Sequence, residues 1–352
     1  MTKNEEQKLL QESLRRLLVW YASVRRELPW RIAPTPYTVW ISEIMLQQTR
    51  IEAVIPYYHR FLSELPDVAA LAAVPEDRLL KLWEGLGYYS RARNLKKAAQ
   101  LVMDEYGGEL PRQAALLKKL PGIGDYTAGA IASIAYGEPE SAVDGNVLRV
   151  IMRLTACEDD VLSQKTKTRI AEALREIYPA GPDAALATEG LMELGETVCV
   201  PNGAPRCADC PLAALCLARR DGRCEELPRR SEKKARRVEE KTILLLRCGE
   251  RYALRQRPKT GLLAGMWELP NLPGRLDEPA LREALCAQGL KPGKIRKCGE
   301  AKHIFTHIEW HMQGYFVDIS PESGEYLWKS AAEIAREHAV PTAFQAYLKL
   351  LK

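Results

Sequence analysis

The sequence predicts a multidomain protein: an all-α region over residues 1–226, a basic linker over 227–240 and an α+β domain over 241–352. Apolar residues recur at helical spacing through the first region, and turns rich in proline and glycine separate them. Beyond the linker, segments such as TILLLRC and RYALRQR have the composition of strands. With 352 residues, the chain is long enough to form two hydrophobic cores.

Composition indicates a soluble globular protein, with 28% charged and 46% hydrophobic residues. No apolar run approaches the roughly eighteen residues of a membrane helix, and the start MTKNEEQKLL lacks the pattern of a signal or transit peptide. We therefore expect a cytoplasmic protein that binds no membrane, with a bacterial cytoplasm as the default location.

The formal charge is +5, and basic residues concentrate around the linker. Residues 219–241 carry ten basic and six acidic side chains, which supply +4. This segment is either a solvated linker or a stretch that lies along a phosphate backbone.

The predicted elements follow apolar periodicity and punctuation by proline and glycine. In the first region, helices are expected at about 5–28, 37–46, 51–61, 67–73, 76–84, 91–106, 147–154, 163–178 and 182–197. In the second, a hairpin turned at Gly249 and Glu250 precedes a helix in DEPALREALCAQGL, two strands in HIFTHIEWHMQGYFVDI and a helical last twenty residues.

The most informative stretch is RQAALLKKLPGIGDYTAGAIASIAYGEPESAVDGN, residues 112–146. Pro121 ends a short helix, Gly122 and Gly124 permit a tight turn, and Asp125 is predicted to cap the next helix. Small residues after the cap allow close packing of that helix. The turn is either part of an ordinary αα-hairpin or a phosphate grip built from backbone N–H groups.

Four cysteines form the spacing Cys199-x7-Cys207-x2-Cys210-x5-Cys216. Nine cysteines without a secretory signal do not indicate a disulfide framework. Four thiolates within eighteen residues can close a tetrahedral zinc site or hold a 4Fe-4S cluster, and the spacing alone leaves both open.

Two carboxylates occupy contrasting settings. Glu43 lies in the apolar helix VWISEIML, where desolvation should raise its pKa and keep it protonated. Asp144 stands at the expected N-cap of the helix VLRVIMRL, where N–H donors favour the charged form. Such a pair suits cleavage of a glycosidic bond; the alternatives are a plain helix cap and a surface acid.

These motifs carry a family resemblance. The stretch LPGIGDYTAGAIASIA followed by Asp144 resembles the helix-hairpin-helix signature of DNA glycosylases. The stretches LPWR, WISEIMLQQT, WEGLGYYSRARNL, VDGNVLRV and ATEGLMELGETVC, with the four cysteines, resemble the MutY family of adenine DNA glycosylases. The resemblance implies a six-helix module over about 31–136, an iron–sulfur module from 1–30 plus 137–226, and a Nudix-like domain that recognises 8-oxoguanine.

The resemblance also implies residue roles. Glu43 would protonate the departing adenine and Asp144 would stabilise the sugar cation, while Tyr126 stands where strand-cleaving relatives carry a Schiff-base lysine. This predicts base excision without efficient strand cleavage. The substrate-binding set is Trp30, Arg31, Leu46, Gln48, Tyr88, Asn146, Glu189, Phe305, Thr306 and His307, with Gln48 and Tyr88 wedged into the DNA stack. Backbone N–H groups at Gly122, Gly124 and Asp125 would grip a phosphate.

By the same resemblance, Cys199, Cys207, Cys210 and Cys216 would hold a 4Fe-4S cluster, although the first gap is one residue longer than in the family. The helix around Arg282 follows the frame of a Nudix box, but Cys286 and Ala287 replace the glutamates that would hold Mg²⁺. This domain is therefore expected to bind without hydrolysing nucleotides. Phe305-Thr306-His307 replaces the family's reading motif Phe-Ser-His.

The expected partner is double-stranded DNA that contains 8-oxoguanine·A or G·A mispairs, bound by a monomer. Three alternatives remain from the sequence: a mismatch glycosylase for thymine or oxidised pyrimidines, a Nudix-type nucleotide hydrolase, and a non-catalytic iron–sulfur DNA-binding protein.

Overall fold

The computed structural model describes residues 1–232, 235–323 and 325–351, which form two compact units. Residues 1–73 and 94–232 make up the first unit, and residues 74–93 join the described part of 233–352 in the second. Lys233 and Lys234 of the predicted linker lie outside the described residues. Among the described residues, none of the helices combines the length and apolar character that crossing a membrane requires.

The described residues up to 226 contain helices and turns, as the apolar periodicity predicts. The helices are α1 (Lys3–Val24), α2 (Pro29–Ile32), α3 (Pro36–Leu46), α4 (Ile51–Glu64), α5 (Val68–Ala73), α6 (Glu76–Leu82), α7 (Ser90–Tyr106), α8 (Ala114–Leu117), α9 (Asp125–Ala130), α10 (Gly145–Leu154), α11 (Gln164–Arg175), α12 (Pro182–Thr197) and α13 (Leu217–Arg220). A π-helical turn, Ile131–Ala135, continues α9.

The hairpin of α8 and α9 has the predicted tight turn. Gly122 adopts φ +80°, and a Cβ there would lie 2.7 Å from Cβ of Asn94, so the turn requires glycine. The N-cap of α9 is Gly124 and not the predicted Asp125, which is the first helical residue and pairs with Lys118 at 3.0 Å. The expected close packing is observed at Gly129, where a Cβ would lie 2.3 Å from the carbonyl oxygen of Ser141.

The core beside the functional residues is formed by α1, α10 and α12. Leu17, Ile151 and Leu191 belong to one buried apolar cluster, which also packs against Cys199 and Cys216. Burying apolar side chains from helices so distant in sequence stabilises the unit by roughly 1.5–3 kcal/mol for each large side chain. The core therefore fixes the N-terminus of α10, where Asp144 lies, relative to α12.

The second unit contains a mixed sheet with the order β3-β2-β1-β6-β5, in which β4 also pairs with β1 and β7 with β2. The strands are β1 (Arg237–Cys248), β2 (Arg251–Gln256), β3 (Trp267–Glu268), β4 (Asn271–Pro273), β5 (Pro292–Ile304), β6 (Ile308–Ile319) and β7 (Leu327–Ser330). Strands β1 and β6 are parallel, with Arg237 opposite Ile308 and Arg247 opposite Asp318. The other pairs are antiparallel.

Helices cover both faces of this sheet: α14 (Glu278–Ala287), α15 (Ala331–Glu337) and α16 (Gln345–Leu348). Along β1, Leu244 packs on the face that holds Leu281 of α14, while Leu245 packs on the face that holds Tyr347 of α16. Burial on both faces explains the continuous apolar run in this strand.

Several predicted boundaries in this unit differ from the structure; strand β5, for example, begins at Pro292 and not at His303. Strand β1 begins at Arg237, inside the predicted linker 227–240, because parallel pairing with β6 orders the residues before the apolar run. The predicted helical C-terminal segment is interrupted, since Pro341 removes a backbone N–H donor between α15 and the short 3-10 turn Thr342–Phe344.

Candidate active site

The first unit contains a cavity of about 600 Å³. Its walls include Trp30, Arg31, Glu43, Leu46, Gln48, Tyr126, Asp144, Asn146 and Glu189, all named from the sequence as site residues. These residues come from α2, α3, α9, α10, α12 and the turns beside them. The volume lies within the range of roughly 300–1,000 Å³ that is typical of small-molecule sites, so a nucleobase would fit inside it.

Helix α3 holds Glu43 in the wall of this cavity, where the residue is only 5% exposed. Thr35 caps α3 through a capping box with Thr38, which fixes where the helix starts. The Tyr126 hydroxyl donates a 2.5 Å hydrogen bond to Oε2 of Glu43. Burial, aided by the nearby negative charge of Asp144, raises the pKa of Glu43 to about 7, although the bond from Tyr126 lowers it. Glu43 is therefore able to carry a proton near neutral pH.

Asp144 is the N-cap of α10, as predicted. Its Oδ1 accepts a hydrogen bond from the Val147 backbone N–H at 2.7 Å, and its Oδ2 accepts one from the side-chain amide of Asn146 at 2.9 Å. Burial nevertheless raises the pKa of Asp144, and these donors only partly oppose it. The expectation that its surroundings favour the charged form is wrong in net direction, because desolvation by burial outweighs the local donors.

A hydrogen-bonded chain links Asp144 to the cysteine segment. Asn146, which donates to Asp144, accepts a bond from Nη2 of Arg149 at 2.8 Å. Nε of Arg149 donates to the Cys199 carbonyl oxygen at 2.7 Å, and Nη2 also donates to the Gly195 carbonyl oxygen at 2.8 Å. The buried guanidinium thus fixes Asn146 and hence the orientation of the Asp144 carboxylate.

Glu189 is buried on α12, and its charge is paired by Arg25 at the C-cap of α1. The Tyr21 hydroxyl donates to Oε2 of Glu189 at 2.9 Å, and Nε of Arg25 donates to the same oxygen at 3.0 Å. Tyr21 and Arg25 are functional neighbours that sequence reasoning missed, because more than 160 positions separate them from Glu189.

Glu193 was also missed. It is buried on α12, where Nη1 of Arg31 donates to its Oε2 at 2.9 Å and Arg26 contributes a second ion pair. The sequence holds a signal for these pairs: Glu189, Glu193 and Glu196 recur at the spacing of one helix face. Glu189 and Glu193 are buried on this face, so their carboxylates require cationic partners.

The predicted residues outside this cavity fall into two groups. Gly122, Gly124 and Asp125 form the hairpin turn of the first unit, where Gly124 and Asp125 are exposed. Tyr88, Phe305, Thr306 and His307 belong to the second unit. There the turn between β5 and β6 exposes Thr306 and His307, and the Thr306 hydroxyl lies 2.8 Å from the Tyr88 hydroxyl.

Phe305 anchors that turn. Its ring packs edge-on against Trp310 at 4.8 Å and against His303 at 4.5 Å, measured between ring centroids. The Phe305 backbone N–H donates to the Ile308 carbonyl oxygen at 2.8 Å, which closes the turn.

Gln48 and Tyr88, the two predicted wedge residues, share a backbone feature. Gln48 has φ +58° and Tyr88 has φ +47°, a region that non-glycine residues seldom occupy. Both side chains are exposed. Strained backbone at exposed positions is typical of functional sites, because the surrounding structure must stabilise it.

The cysteines Cys199, Cys207, Cys210 and Cys216 line a second, smaller cavity, together with Arg153 and Cys224. Among the described residues, no three His, Cys, Asp or Glu side chains converge closely enough to hold a metal ion. The four thiols nevertheless line one cavity, as ligands of a shared metal centre must. Nη1 of Arg153 donates to Sγ of Cys199 at 3.3 Å, which suits a ligand set of anionic thiolates.

Comparison with known proteins defines the class of protein. Residues 41–180 match the family model of the HhH-GPD superfamily of base excision DNA repair proteins, and residues 242–350 match the NUDIX domain. A solved thermostable thymine-DNA glycosylase is 27% identical and covers 63% of this chain and 100% of its own, with a TM-score of 0.55. Endonuclease III in a trapped covalent DNA intermediate is also 27% identical, with coverage of 63% and 99% and a TM-score of 0.52.

Curated relatives narrow the class to one family. The adenine DNA glycosylase of Homo sapiens is 35% identical in a match that spans 85% of this chain and 65% of the human protein. The adenine DNA glycosylase of Mus musculus is 33% identical in a match that spans 94% of this chain and 77% of the mouse protein. That of Buchnera aphidicola subsp. Acyrthosiphon pisum is 30% identical in a match that spans 89% of this chain and 90% of the relative. The chain belongs to the adenine DNA glycosylase family.

Proposed function

We propose that this protein is an adenine DNA glycosylase of base excision repair, which hydrolyses the N-glycosidic bond of adenine mispaired with 8-oxoguanine or guanine. The observation that carries the proposal is the convergence of Glu43, Tyr126 and Asp144 on a cavity large enough to hold a base, with the pKa of Glu43 raised to about 7. Membership of the adenine DNA glycosylase family supports the choice of base.

Glu43 is the general acid in this proposal. A base flipped out of the duplex enters the cavity, and protonation of a ring nitrogen turns it into a neutral leaving group. The bond from Tyr126 occupies Oε2 of Glu43, so Oε1 is left to carry the proton toward the base. Burial raises the pKa of Tyr126 well above its ordinary value, so this hydroxyl remains a donor.

Asp144 stabilises the positive charge that develops on the sugar as the bond to the base breaks. Two donors orient its carboxylate, and the chain through Asn146 and Arg149 restrains them. Water then adds to the anomeric carbon, and its proton returns to the Glu43 carboxylate, which leaves free adenine and an abasic site.

We propose that the enzyme cleaves the strand inefficiently. A Schiff base with the opened sugar requires an amine nucleophile in the site. Tyr126 stands where strand-cleaving relatives carry that lysine, and its hydroxyl is committed to Glu43.

The second unit is proposed to read 8-oxoguanine through Phe305, Thr306 and His307. The Phe305 anchor presents the Thr306 hydroxyl at an exposed turn, where it can hydrogen-bond an oxidised base. At the hairpin of the first unit, backbone N–H groups of Gly122, Gly124 and Asp125 are proposed to bind a DNA phosphate.

A 4Fe-4S cluster held by Cys199, Cys207, Cys210 and Cys216 is the proposed cofactor, and its proposed role is structural. It would tie the segment after α12 to α13 and to Arg153 of α10, since all of these line one cavity. We further propose a monomer in the cytoplasm, where reduced thiols persist.

The test uses duplexes with a single 8-oxoguanine·A, G·A, G·T or 8-oxoguanine·C pair, and it scores free base and strand breaks separately. We expect release of adenine from the first two duplexes, with strand breaks only after alkali. Release of thymine from the G·T duplex would favour a thymine glycosylase instead. No release of any base by cluster-loaded protein would contradict the proposed activity, and immediate strand breaks would contradict the role given to Tyr126.

A further inference from the structure

The cavity lined by the proposed cluster ligands contains a fifth thiol. Sγ of Cys224 lies 4.0 Å from Sγ of Cys207, and Cys224 lines the same cavity as the four proposed ligands. A 4Fe-4S cluster takes four cysteine thiolates. One of these five thiols is therefore surplus to the proposed cluster.

The backbone on both sides of Cys224 is anchored. On one side, the Arg223 N–H donates to the Ala218 carbonyl oxygen at 2.7 Å, and its guanidinium pairs with Glu158 at 2.7 Å. On the other, Leu227 is 1% exposed and its carbonyl oxygen accepts a 2.8 Å bond from Nε of Arg153. The segment that carries the thiol is thus anchored on both sides.

Arg153 connects Cys224 to the proposed ligands. Its Nε holds the segment that carries Cys224, and its Nη1 donates to Sγ of Cys199. One buried guanidinium therefore anchors the segment that carries the fifth thiol and also offers positive charge to the thiolates around the cavity.

The distance between the two sulfur atoms indicates what the fifth thiol can do. A tetrahedral metal with metal–sulfur bonds of about 2.3 Å holds its sulfur ligands roughly 3.8 Å apart. The 4.0 Å between Cys207 and Cys224 is close to this value, so both sulfur atoms can reach the same corner of a cluster.

We propose that Cys224 is a reserve ligand for the iron atom that Cys207 binds, an inference that rests on the proposed cluster. In the exchange, the bond from iron to the Cys207 sulfur breaks and one to the Cys224 sulfur forms. Cys224 gives up its thiol proton and Cys207 takes one up, so no electron is transferred. The cluster is then retained while Cys207 is absent or detached.

The first experiment compares single and double variants of the full chain, purified without oxygen. Iron and acid-labile sulfide per chain are measured in Cys207→Ala, Cys224→Ala and the double variant. Cys210→Ala is the control, because the contact of Cys224 is with Cys207. We expect both single variants at 207 and 224 to retain most of the iron, and the double variant and the control to lose it.

Loss of iron from Cys207→Ala to the level of Cys210→Ala would overturn the proposal. Loss from Cys224→Ala would also overturn it, because Cys224 would then be an obligatory ligand. If the wild-type protein holds no iron at all, the proposed cofactor itself fails, and the two failures are thus distinguishable.

The second experiment keeps all four proposed ligands, so it does not depend on the folding of a ligand variant. The rate of iron loss to a chelator is compared between wild type and Cys224→Ala, with Cys286→Ala as a control for an exposed cysteine outside the cavity. We expect iron loss to be several-fold faster from Cys224→Ala alone, because no second thiol can then bind the iron atom after Cys207 dissociates. Equal rates in all three proteins would contradict the proposal.

Discussion

The cavity of the first unit and the turn between β5 and β6 in the second unit are built in opposite ways. Glu43 and Glu189 are buried in the cavity walls, and each interacts with side chains from distant helices. Thr306 and His307 are exposed on a turn that a single aromatic residue anchors. A proton donor needs a raised pKa and therefore burial, whereas contact with a partner's surface needs exposure. Changes in the cavity should therefore affect every substrate, and changes in the turn should affect only discrimination.

The largest effect is expected from Glu43→Gln. The amide keeps the size of the side chain and can accept the bond from Tyr126, but it cannot donate an acidic proton. We expect the rate of adenine excision to fall by about 10²–10⁴-fold on both 8-oxoguanine·A and G·A duplexes. Single-turnover kinetics measure this, with the exposed Glu105→Gln on α7 as the control. A loss confined to one of the two duplexes would break the comparison between cavity and turn.

The same variant should be more stable than the wild type above neutral pH. The pKa of Glu43 is raised from 4.5 to about 7, so the folded state binds the proton more tightly than the unfolded state. The contribution of protonated Glu43 to the free energy of unfolding is fully present below pH 4.5 and is lost as pH rises through about 7. Glu43→Gln removes this loss, about 3 kcal/mol at pH 8 and under about 1 kcal/mol at pH 5. Denaturant unfolding at the two pH values checks it; equal gains at both would contradict the raised pKa.

A third prediction concerns the pH dependence of excision. Glu43 must be protonated and Asp144 ionised, and burial raises the pKa of both carboxyls. We expect the single-turnover rate to fall as pH rises above about 7, because Glu43 loses its proton. It should also fall on the acid side, because Asp144 gains one. A rate that stays constant from pH 6 to pH 9 would exclude Glu43 as the acid.

Local rules predicted the elements of the helical region well, and they predicted the geometry of its cavity less well. Helix α3 and the cap at Asp144 follow from residues within one turn of each other. The direction of the pKa shift at Asp144 does not, because the shift depends on how deeply the folded chain buries the carboxyl, and the local sequence does not reveal that. The cavity residues were named through motif resemblance, and Tyr21 and Arg25 were missed because their partner lies far along the chain.

In the second unit the same limit applies to strand pairing. The hairpin of β1 and β2 was predicted because its turn, Gly249-Glu250, lies between two short apolar runs. The parallel pairing of β1 with β6 joins residues about seventy positions apart, and it extends β1 back into the predicted linker. Contacts at this separation depend on the packing of the whole unit, which periodicity does not encode.

A smaller effect is expected from Thr306, which tests the second half of the comparison. Thr306→Ala removes a hydroxyl whose hydrogen bond is worth about 0.5–1.5 kcal/mol. We expect the preference for 8-oxoguanine·A over G·A to fall by roughly 2–10-fold, while excision from G·A falls less, through the lost contact of the Thr306 hydroxyl with Tyr88. Thr306→Ser keeps the hydroxyl and should keep the preference, which is measured by competition between the two duplexes. An equal loss on both duplexes would mean that the turn affects the chemistry itself.

The smallest expected effect is on stability at Gln48. Its strained backbone can be tested by comparing a glycine substitution there with the same substitution at Gln47. Gln48 has φ +58°, whereas Gln47 has φ −56°, and both line the cavity. Glycine loses more backbone entropy on folding at either position, but only at 48 does it also relieve left-handed strain of about 1–2 kcal/mol. We therefore expect Gln48→Gly to be more stable than Gln47→Gly by about 1 kcal/mol in denaturant unfolding.

Gln48→Gly should still excise adenine more slowly than the wild type, because the side chain proposed to enter the DNA stack is gone. Equal stability of the two variants would show that position 48 stores no strain, and an unchanged excision rate would remove Gln48 from the proposed DNA contacts.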